Sequence, residues 1–287
     1  MRKFISLLGI GLIAAACSTA GATDRPGFTP ASHYNVATGA DQLLLRVTTG
    51  GGLPPPGLQL THKPWFALYG DGRIVVQGPQ TETYPGPLLP DLRQMQVTPA
   101  EIQKIVGEAD RAGLLGPDAR LDAVEIYDAS RTEFTAIVDG KTHTISALAL
   151  DYDVTVTDQA VAEARGRLSA FEREIMDLTA FLKREVSNAE TYEAAAMRVF
   201  AGPTYVSKQD ELKREVVAWP LAADPATAGE AAFVPQTRCL VLTGSDLEAF
   251  RTVALTADTL TLWTYGPNRY AVYVRPLYPD ESGCPAS

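Results

Sequence analysis

The chain has 287 residues, of which 46% are hydrophobic and 21% are charged, a composition typical of a folded globular protein. Removing a predicted signal that holds Arg2 and Lys3 lowers the number of basic residues from 25 to 23 against 34 acidic residues, so the net charge changes from -9 to -11. This acidity excludes a protein that is drawn by charge to nucleic acid or to anionic lipid.

An export signal is predicted over residues 1–16. Two basic residues precede an apolar run at residues 4–16, which suits a signal peptide and is shorter than the roughly 20 residues that a membrane-spanning helix needs. The sequence Ala14-Ala15-Ala16-Cys17 resembles the bacterial lipobox, in which the cysteine is acylated and becomes the mature N-terminus, although Ala14 stands where leucine is most common. We therefore predict a lipid on Cys17, and two or three acyl chains are enough to anchor a protein stably to the outer face of the cell membrane.

A second possible cleavage site gives an alternative, in which the mature protein is soluble. Ala20-Gly21-Ala22 has the small-x-small form that an ordinary signal peptidase cuts, and this cut would release a secreted, soluble protein that starts at Thr23. Lipidation is favoured because Cys17 lies at the very end of the apolar run, where a signal core stops. The following segment, residues 17–40, is rich in Gly, Ala, Thr and Pro, which predicts a flexible tether.

An N-terminal α+β subdomain is predicted over residues 41–155. The dipeptides Asp71-Gly72 and Asp139-Gly140 each separate two extended runs, which predicts two hairpins because this dipeptide accepts the positive φ of a tight turn. Thr98, followed by proline and then by glutamate at the third position, predicts the start of a helix that Gly113 ends. Strands are predicted at residues 43–47, 65–69, 73–76, 132–138 and 142–148, and a proline-rich surface loop at residues 79–90.

A long bridging helix is predicted over residues 156–187, with Thr157 or Asp158 as its N-cap. Large apolar residues recur along it at helical spacing, and they are Val161, Leu168, Phe171, Ile175, Leu178 and Leu182. Its other face carries the i,i+4 pairs Glu163 with Arg167 and Arg173 with Asp177, which predicts a solvated surface.

A C-terminal α+β subdomain is predicted over residues 188–287. The sequence from Ser245 to Glu248 predicts a capping box that opens a helix reaching about residue 255. Strands are predicted at residues 197–200, 216–219, 239–242, 261–265 and 270–275. The whole chain is therefore predicted to be an α+β protein whose antiparallel sheets carry helices on one face, in two ββαββ-like subregions bridged by the long helix.

Cys239 and Cys284 are predicted to form one disulfide bond, because export implies an oxidising compartment and Cys17 is assigned to the lipid. The bond would close a loop of about 45 residues and stabilise the fold by roughly 4 kcal/mol on the chain-entropy argument. Two free thiols are the alternative.

Several segments of the chain resemble those of uncharacterised actinobacterial secreted proteins and lipoproteins. The resembling segments are residues 66–73, 84–90, 112–114 and 274–279. This resemblance implies a secreted α+β body closed by a disulfide bond, and it implies no activity.

The sequence predicts no metal site, no cofactor and no catalytic residue. His33, His62 and His143 are scattered and lack the close spacing of a zinc or copper site. His143 could serve as a base for Ser130 or Ser146, although no nucleophile-elbow motif accompanies them.

The sequence also contains residues that could form a calcium site or an anion site. Asp151-x-Asp153-x-Thr155 matches the first three ligand positions of a calcium loop and fails at the sixth and twelfth positions. Nearby loop acids could supply oxygen ligands without such a loop, and they are Asp118, Asp122, Glu125 and Asp128. Arg73 or Arg275 could bind an anion, although an ion pair is the commoner role for arginine in an acidic protein.

The absence of a catalytic motif favours a non-enzymatic binding module of the cell envelope, with a protein, peptide or glycan partner. The proline-rich loop beside aromatic residues could form a shallow groove for such a partner. The alternative is a secreted hydrolase whose site is assembled from distant loops. A cleft in which polar side chains with shifted pKa values converge would favour the enzyme, and a flat aromatic patch would favour binding.

Overall fold

The structure is a computed structural model that describes residues 28–29, 31–54, 56–79, 82–122, 126–184, 186, 189–204 and 213–285. These residues form two β-sheets and five helices, which confirms the predicted α+β fold. The predicted signal over residues 1–16, the lipid site at Cys17 and the alternative cut after Ala22 lie outside the described residues.

The first sheet contains eight strands. Their bounds are β1 (Leu43–Gly51), β2 (Phe66–Tyr69), β3 (Arg73–Gln77), β4 (Leu92–Gln96), β5 (Ala119–Arg120), β6 (Ser130–Val138), β7 (Lys141–Leu148) and β8 (Glu190–Thr191). They lie in the order β5-β7-β6-β1-β2-β3-β4-β8, and neighbouring strands are antiparallel except for β5 and β7. Both predicted hairpins are confirmed, with φ of 87° at Gly72 and 70° at Gly140.

The helices are α1 (Pro56–Leu60), α2 (Pro99–Ala112), α3 (Gln159–Met176), α4 (Leu178–Leu182) and α5 (Gly244–Ala254). Helix α2 begins with the predicted capping box, because Glu101 N donates to Thr98 Oγ1 at 3.3 Å while Thr98 N donates to Glu101 Oε2 at 2.7 Å. It ends at Gly113, whose φ is 100°. The apolar faces of α2, α3 and α4 pack with one face of the first sheet to form its core.

The predicted long helix is interrupted at Asp177, where the backbone has φ -119° and ψ 70°. The Asp177 carboxylate accepts a hydrogen bond from Ala180 N at 3.0 Å and so starts a new short helix, α4. Asp158, rather than Thr157, caps the N-terminus of α3. Leu168 and Phe171 belong to the core of the first sheet, so α3 packs on that sheet, where the sequence predicted a bridge between two bodies.

The second sheet contains six strands. Their bounds are β9 (Ala196–Pro203), β10 (Val216–Ala218), β11 (Glu230–Ala231), β12 (Arg238–Thr243), β13 (Leu262–Tyr265) and β14 (Asn268–Pro276), and their order is β10-β13-β14-β9-β12-β11. Helix α5 covers a core in which Phe250 stacks on Trp263 with ring centroids 5.2 Å apart. The predicted capping box at Ser245 is wrong, because the helix begins earlier and Thr243 occupies the N-cap position without a side-chain hydrogen bond.

Segments of each half of the chain pack against the sheet of the other half. Helix α1 lies on β14 of the second sheet, and Leu88 of the proline-rich loop is buried in the core of that sheet. Conversely, strand β8 and Tyr278 belong to the first sheet and its outer cluster. The predicted boundary at residue 188 therefore cuts through the first sheet.

The predicted disulfide bond between Cys239 and Cys284 is confirmed. It attaches the C-terminal segment to β12 beside Leu60 of α1 and Phe200 of β9. The pairing follows from tertiary proximity, since the two Cα atoms lie 6.1 Å apart across a sequence separation of 45.

The globular body begins before the predicted boundary at residue 41. Tyr34 is only 6% exposed and belongs to the core of the first sheet. Its backbone N donates to Gln103 Oε1 at 2.8 Å, and its hydroxyl donates to Asp110 Oδ2 at 3.0 Å. The tether predicted over residues 17–40 is therefore shorter at its C-terminal end, because Tyr34 buries a large ring against α2.

Candidate functional site

A cleft of about 520 Å³ lies between the first sheet and the junction of α3 with α4. Its lining residues come from β1, β3, β4, the loop after β7 and the two helices. They are Thr49, Trp65, Val76, Gln77, Met95, Asp151, Glu172, Ile175, Met176, Asp177, Leu178, Thr179 and Val186. The volume falls within the range of small-molecule sites, and the walls combine apolar side chains with a few polar groups, as such sites usually do.

Glu172 reaches the cleft because of its position on α3. It lies four residues after Leu168 and three before Ile175, so the helical period places it on the apolar face of α3. It is 4% exposed and is the only carboxylate among the buried residues that the structure describes. A carboxylate on the apolar stripe of an amphipathic helix is the sequence signal that could have revealed this site.

The three buried charged side chains of the described chain differ in how they are compensated. Arg165 donates to the backbone oxygens of Leu121, Leu148 and Ala149, with distances of 2.7 to 2.9 Å. Arg275 forms a bidentate ion pair with Glu281. Glu172 has neither arrangement, because its described partner is another carboxyl group, that of Asp151.

Burial and the neighbouring Asp151 determine the protonation of Glu172. Loss of solvation in the cleft disfavours the charged carboxylate, and the Asp151 carboxyl adds repulsion and accepts a hydrogen bond from the neutral form. Together they raise the pKa of Glu172 from 4.5 to about 8. At neutral pH the Glu172 carboxyl therefore keeps its proton in most molecules.

The walls around this carboxyl pair are held by their own hydrogen bonds. Trp65 Nε1 donates to Thr49 Oγ1 at 3.3 Å, which fixes the indole ring beside the sheet. Gln77 Nε2 donates to Pro64 O at 3.3 Å. At the mouth, Met176 is 70% exposed, so an apolar side chain faces solvent at the rim of the cleft. The site is therefore preformed inside and apolar at its edge.

The serines and histidine considered for hydrolysis do not form a site. His143 and Ser146 lie three residues apart on β7, so their side chains point to opposite faces of the sheet. His143 Nδ1 contacts Gly116 O at 2.9 Å, and Ser146 Oγ accepts from Arg131 Nη1 at 3.2 Å. Ser130 begins β6, whereas the residue opposite His143 is Ala136 near the other end of that strand.

Three of the acidic residues considered for calcium make other contacts. Asp118 Oδ1 accepts from Thr144 N at 2.8 Å, and Asp122 forms an ion pair with Arg131 at 2.7 Å. Asp151 contributes to the cleft. Glu125 lies outside the described residues. No cluster of three or more possible His, Cys, Asp or Glu ligands is found among the residues that the structure describes.

Arg275 has the structural role that was expected for an arginine in an acidic protein. Its Nη1 and Nη2 each donate to the Glu281 carboxylate at 2.6 Å, and its Nε donates to His62 O at 2.7 Å. A second ion pair joins Arg46 to Asp280, whose two carboxylate oxygens both accept from Arg46 Nη2, at 2.7 and 2.8 Å. These two pairs hold the C-terminal segment between the sheets.

Arg73 of the first sheet donates from Nη2 to Ala40 O at 2.8 Å and lies 3.6 Å from Asp71. In the described part of the proline-rich loop, Leu88 N donates to Ala257 O and the Leu88 side chain fills the second core, while Tyr84 is exposed. Trp219 and Trp263 are buried in that core.

No protein-family model matches the chain, and neither the curated proteins nor the solved structures give a match. The resemblance to actinobacterial lipoproteins therefore stays a prediction. In the described part of the chain, no helix combines the length and apolar character needed to cross a bilayer.

Proposed function

We propose that this protein is an exported, lipid-anchored, non-enzymatic binding module of the cell envelope, and that the cleft between the first sheet and the α3/α4 junction is its binding site. The observation that carries the proposal is the buried carboxyl of Glu172, which lines an open cleft whose described lining residues include no cation. Such a group destabilises the fold at neutral pH, and sites that cost stability in this way cluster where proteins bind or react.

Binding fits the geometry better than catalysis does. The lining side chains include no histidine, serine, cysteine or lysine in the described residues. The cleft's two threonine hydroxyls already accept hydrogen bonds, Thr49 Oγ1 from Trp65 Nε1 and Thr179 Oγ1 from Val186 N. The exposed rim residue Met176 adds apolar contact surface for a partner.

A photo-crosslinking amino acid at Met176 tests the binding proposal in the native envelope. Leu255 provides a matched control, because it is also 70% exposed but follows α5 beside the second sheet. We expect specific adducts from position 176 that mass spectrometry can identify, and none of them from position 255. Identical adducts from both positions, or none from position 176, would contradict the assignment of the cleft.

The anchoring proposal rests on Cys17 and has its own test. We expect the wild-type protein to fractionate with membranes and to carry the added mass of acyl chains, and we expect Cys17→Ala to lose both properties. If Cys17→Ala stays in the membrane fraction, another segment anchors the protein. If the wild type begins at Thr23, the ordinary signal peptidase cut after Ala22 is correct.

A secreted hydrolase with a site assembled from distant loops is the second candidate, and the carboxyl pair is the observation that favours it. Two carboxyl groups that share a proton can activate a water molecule. A screen of peptide and glycan hydrolysis would detect such an activity, and Asp151→Asn should abolish it while leaving the fold intact, since Asp151 is exposed. Activity that survives this substitution would place the chemistry elsewhere.

A further inference from the structure

We propose that the cleft binds a primary ammonium group carried on an aliphatic stem, with the ammonium at the Asp151 and Glu172 carboxyl pair and the stem along the apolar wall. This inference rests on the proposed binding function and names the chemistry of the ligand. It combines the charge of the lining residues, the hydrogen-bonding needs of the carboxyl pair and the shape of the apolar wall.

The charge of the cleft selects a cation. Three of its described lining residues carry a carboxyl group, namely Asp151, Glu172 and Asp177. None of the described lining residues is basic. Asp177 is already engaged by Ala180 N at the start of α4, so Asp151 and Glu172 are the pair available inside. An anionic ligand would face repulsion from all three carboxyl groups.

The carboxyl pair also selects a hydrogen-bond donor. Carboxylates accept hydrogen bonds only, and a primary ammonium supplies three N–H donors from one compact charge. It can therefore replace the proton that the two groups share, whereas a quaternary ammonium has no N–H with which to do so. Charge-assisted hydrogen bonds of this kind are about twice as strong as neutral ones.

The wall beside the pair selects an apolar stem. Ile175, Leu178 and Met95 line the interior of the cleft, and Met176 extends the apolar surface to the solvent. Trp65 provides an aromatic face fixed by its hydrogen bond to Thr49. Each methylene group buried here contributes about 0.8 kcal/mol, so affinity should rise along a series of alkyl amines.

Proton release accompanies this mode of binding. A bound cation stabilises the ionised form of Glu172, so the proton shared with Asp151 leaves as the ligand enters. The titratable groups that line the cleft around this proton are Asp151, Glu172 and Asp177, and none of the described lining residues is basic. Affinity for an ammonium should therefore increase up to about tenfold per pH unit between pH 6 and pH 8.

Calorimetric titration of the full-length mature protein with hexylammonium tests the proposal. We expect tighter binding of hexylammonium than of hexyltrimethylammonium, and the weakest binding of hexanol. Titrations in phosphate and in MOPS, which differ in ionisation enthalpy and contain no primary ammonium, should show release of close to one proton at pH 7. Equal affinity for hexylammonium and hexanol, or no proton release, would overturn the proposal.

Variants distinguish binding at the carboxyl pair from a general attraction of the ligand to the negative surface charge. Glu172→Gln keeps the shape and a hydrogen-bond donor toward Asp151, and we expect its affinity to change less than about threefold between pH 6 and pH 8. Asp151→Asn, at an exposed position, should weaken hexylammonium binding at least tenfold. Glu163→Gln removes the same charge from the exposed face of α3 and should bind as the wild type does.

The source of the ammonium group is decided by a second probe. A blocked tripeptide with a central lysine presents the same group on a peptide, and its binding in place of hexylammonium would identify a lysine side chain of a partner as the ligand. If neither probe binds while crosslinking at Met176 still gives specific adducts, the ammonium proposal fails and the binding function stands. If the adducts also fail, both proposals are wrong.

Discussion

Replacing Glu172 by glutamine should stabilise the protein at neutral pH and have little effect in acid. The wild-type carboxyl has a pKa of about 8 in the fold against 4.5 when unfolded, so the unfolded chain binds fewer protons between these values and folding stability falls as the pH rises through that window. At 1.36 kcal/mol per pKa unit, the stability lost through this group is about 1 kcal/mol at pH 5, about 3 kcal/mol at pH 7 and about 4 kcal/mol at pH 8.

Glutamine retains the shape of the neutral acid and cannot ionise. Its amide can donate to Asp151 as the protonated Glu172 does, so the variant should lose only the pH-dependent penalty. Because about 1 kcal/mol shifts the melting temperature of a protein of this size by roughly 2–4 °C, we expect the variant to melt roughly 6–12 °C above the wild type at pH 7.

Melting temperatures and urea midpoints measured from pH 4 to pH 8.5 check this reasoning. Glu163→Gln on the exposed face of the same helix is the matched control, and its difference from the wild type should stay within about 0.5 kcal/mol at every pH. A Glu172→Gln variant that is destabilised at pH 8, or whose advantage does not grow with pH, would show that Glu172 is compensated in the native protein and would refute the argument.

Three further outcomes follow from the packing of the two sheets. Cys239→Ser should cost about 4 kcal/mol in urea unfolding, since the disulfide closes a 45-residue loop, and no loss would mean that other contacts already hold the tail. Gly57→Ala should destabilise the fold because the new Cβ would lie 2.1 Å from the Tyr273 ring, whereas Gly166→Ala, which meets nothing within 4 Å on α3, should stabilise it by about 0.5–1 kcal/mol. Burial raises the pKa of Glu281, but the guanidinium of its ion-pair partner outweighs this and holds the pKa below the ordinary value. Glu281→Ala should therefore cost about 3–5 kcal/mol above pH 5 and less in acid, and a cost independent of pH would contradict the ion-pair account.

Local sequence signals correctly predicted the elements whose backbone geometry depends only on residues close to them in the chain. The Asp71-Gly72 turn formed as predicted because glycine accepts a φ of 87° without a steric penalty. Thr98 capped α2 as predicted because both partners of the capping box lie within three residues. The capping box at Ser245 failed for a different reason: pairing of β12 with β9 ends at Thr243, and the chain turns directly into α5 there.

The candidate site was missed where a local pattern had two interpretations. Asp177 was assigned to a surface pair with Arg173, but its carboxylate caps α4 and interrupts the helix. Asp151 was examined only as part of a calcium loop. No role was predicted for Glu172 from the sequence, although its spacing from Leu168 places it on the buried face. A charged residue on an apolar stripe is informative in its own right, because burying it costs free energy.

The sequence by itself determined the α+β class, the hairpin turns and the start of α2, and it made Cys239 and Cys284 the candidate disulfide pair. These features depend on local backbone preferences, on hydrophobic periodicity and on the small number of cysteines. Tertiary structure alone decided that α1 packs on the second sheet and that Asp151 meets Glu172 in an open cleft. Contacts of this kind depend on how separate elements pack, and the free-energy cost of the buried Glu172 carboxyl arises only after that packing has removed water from it.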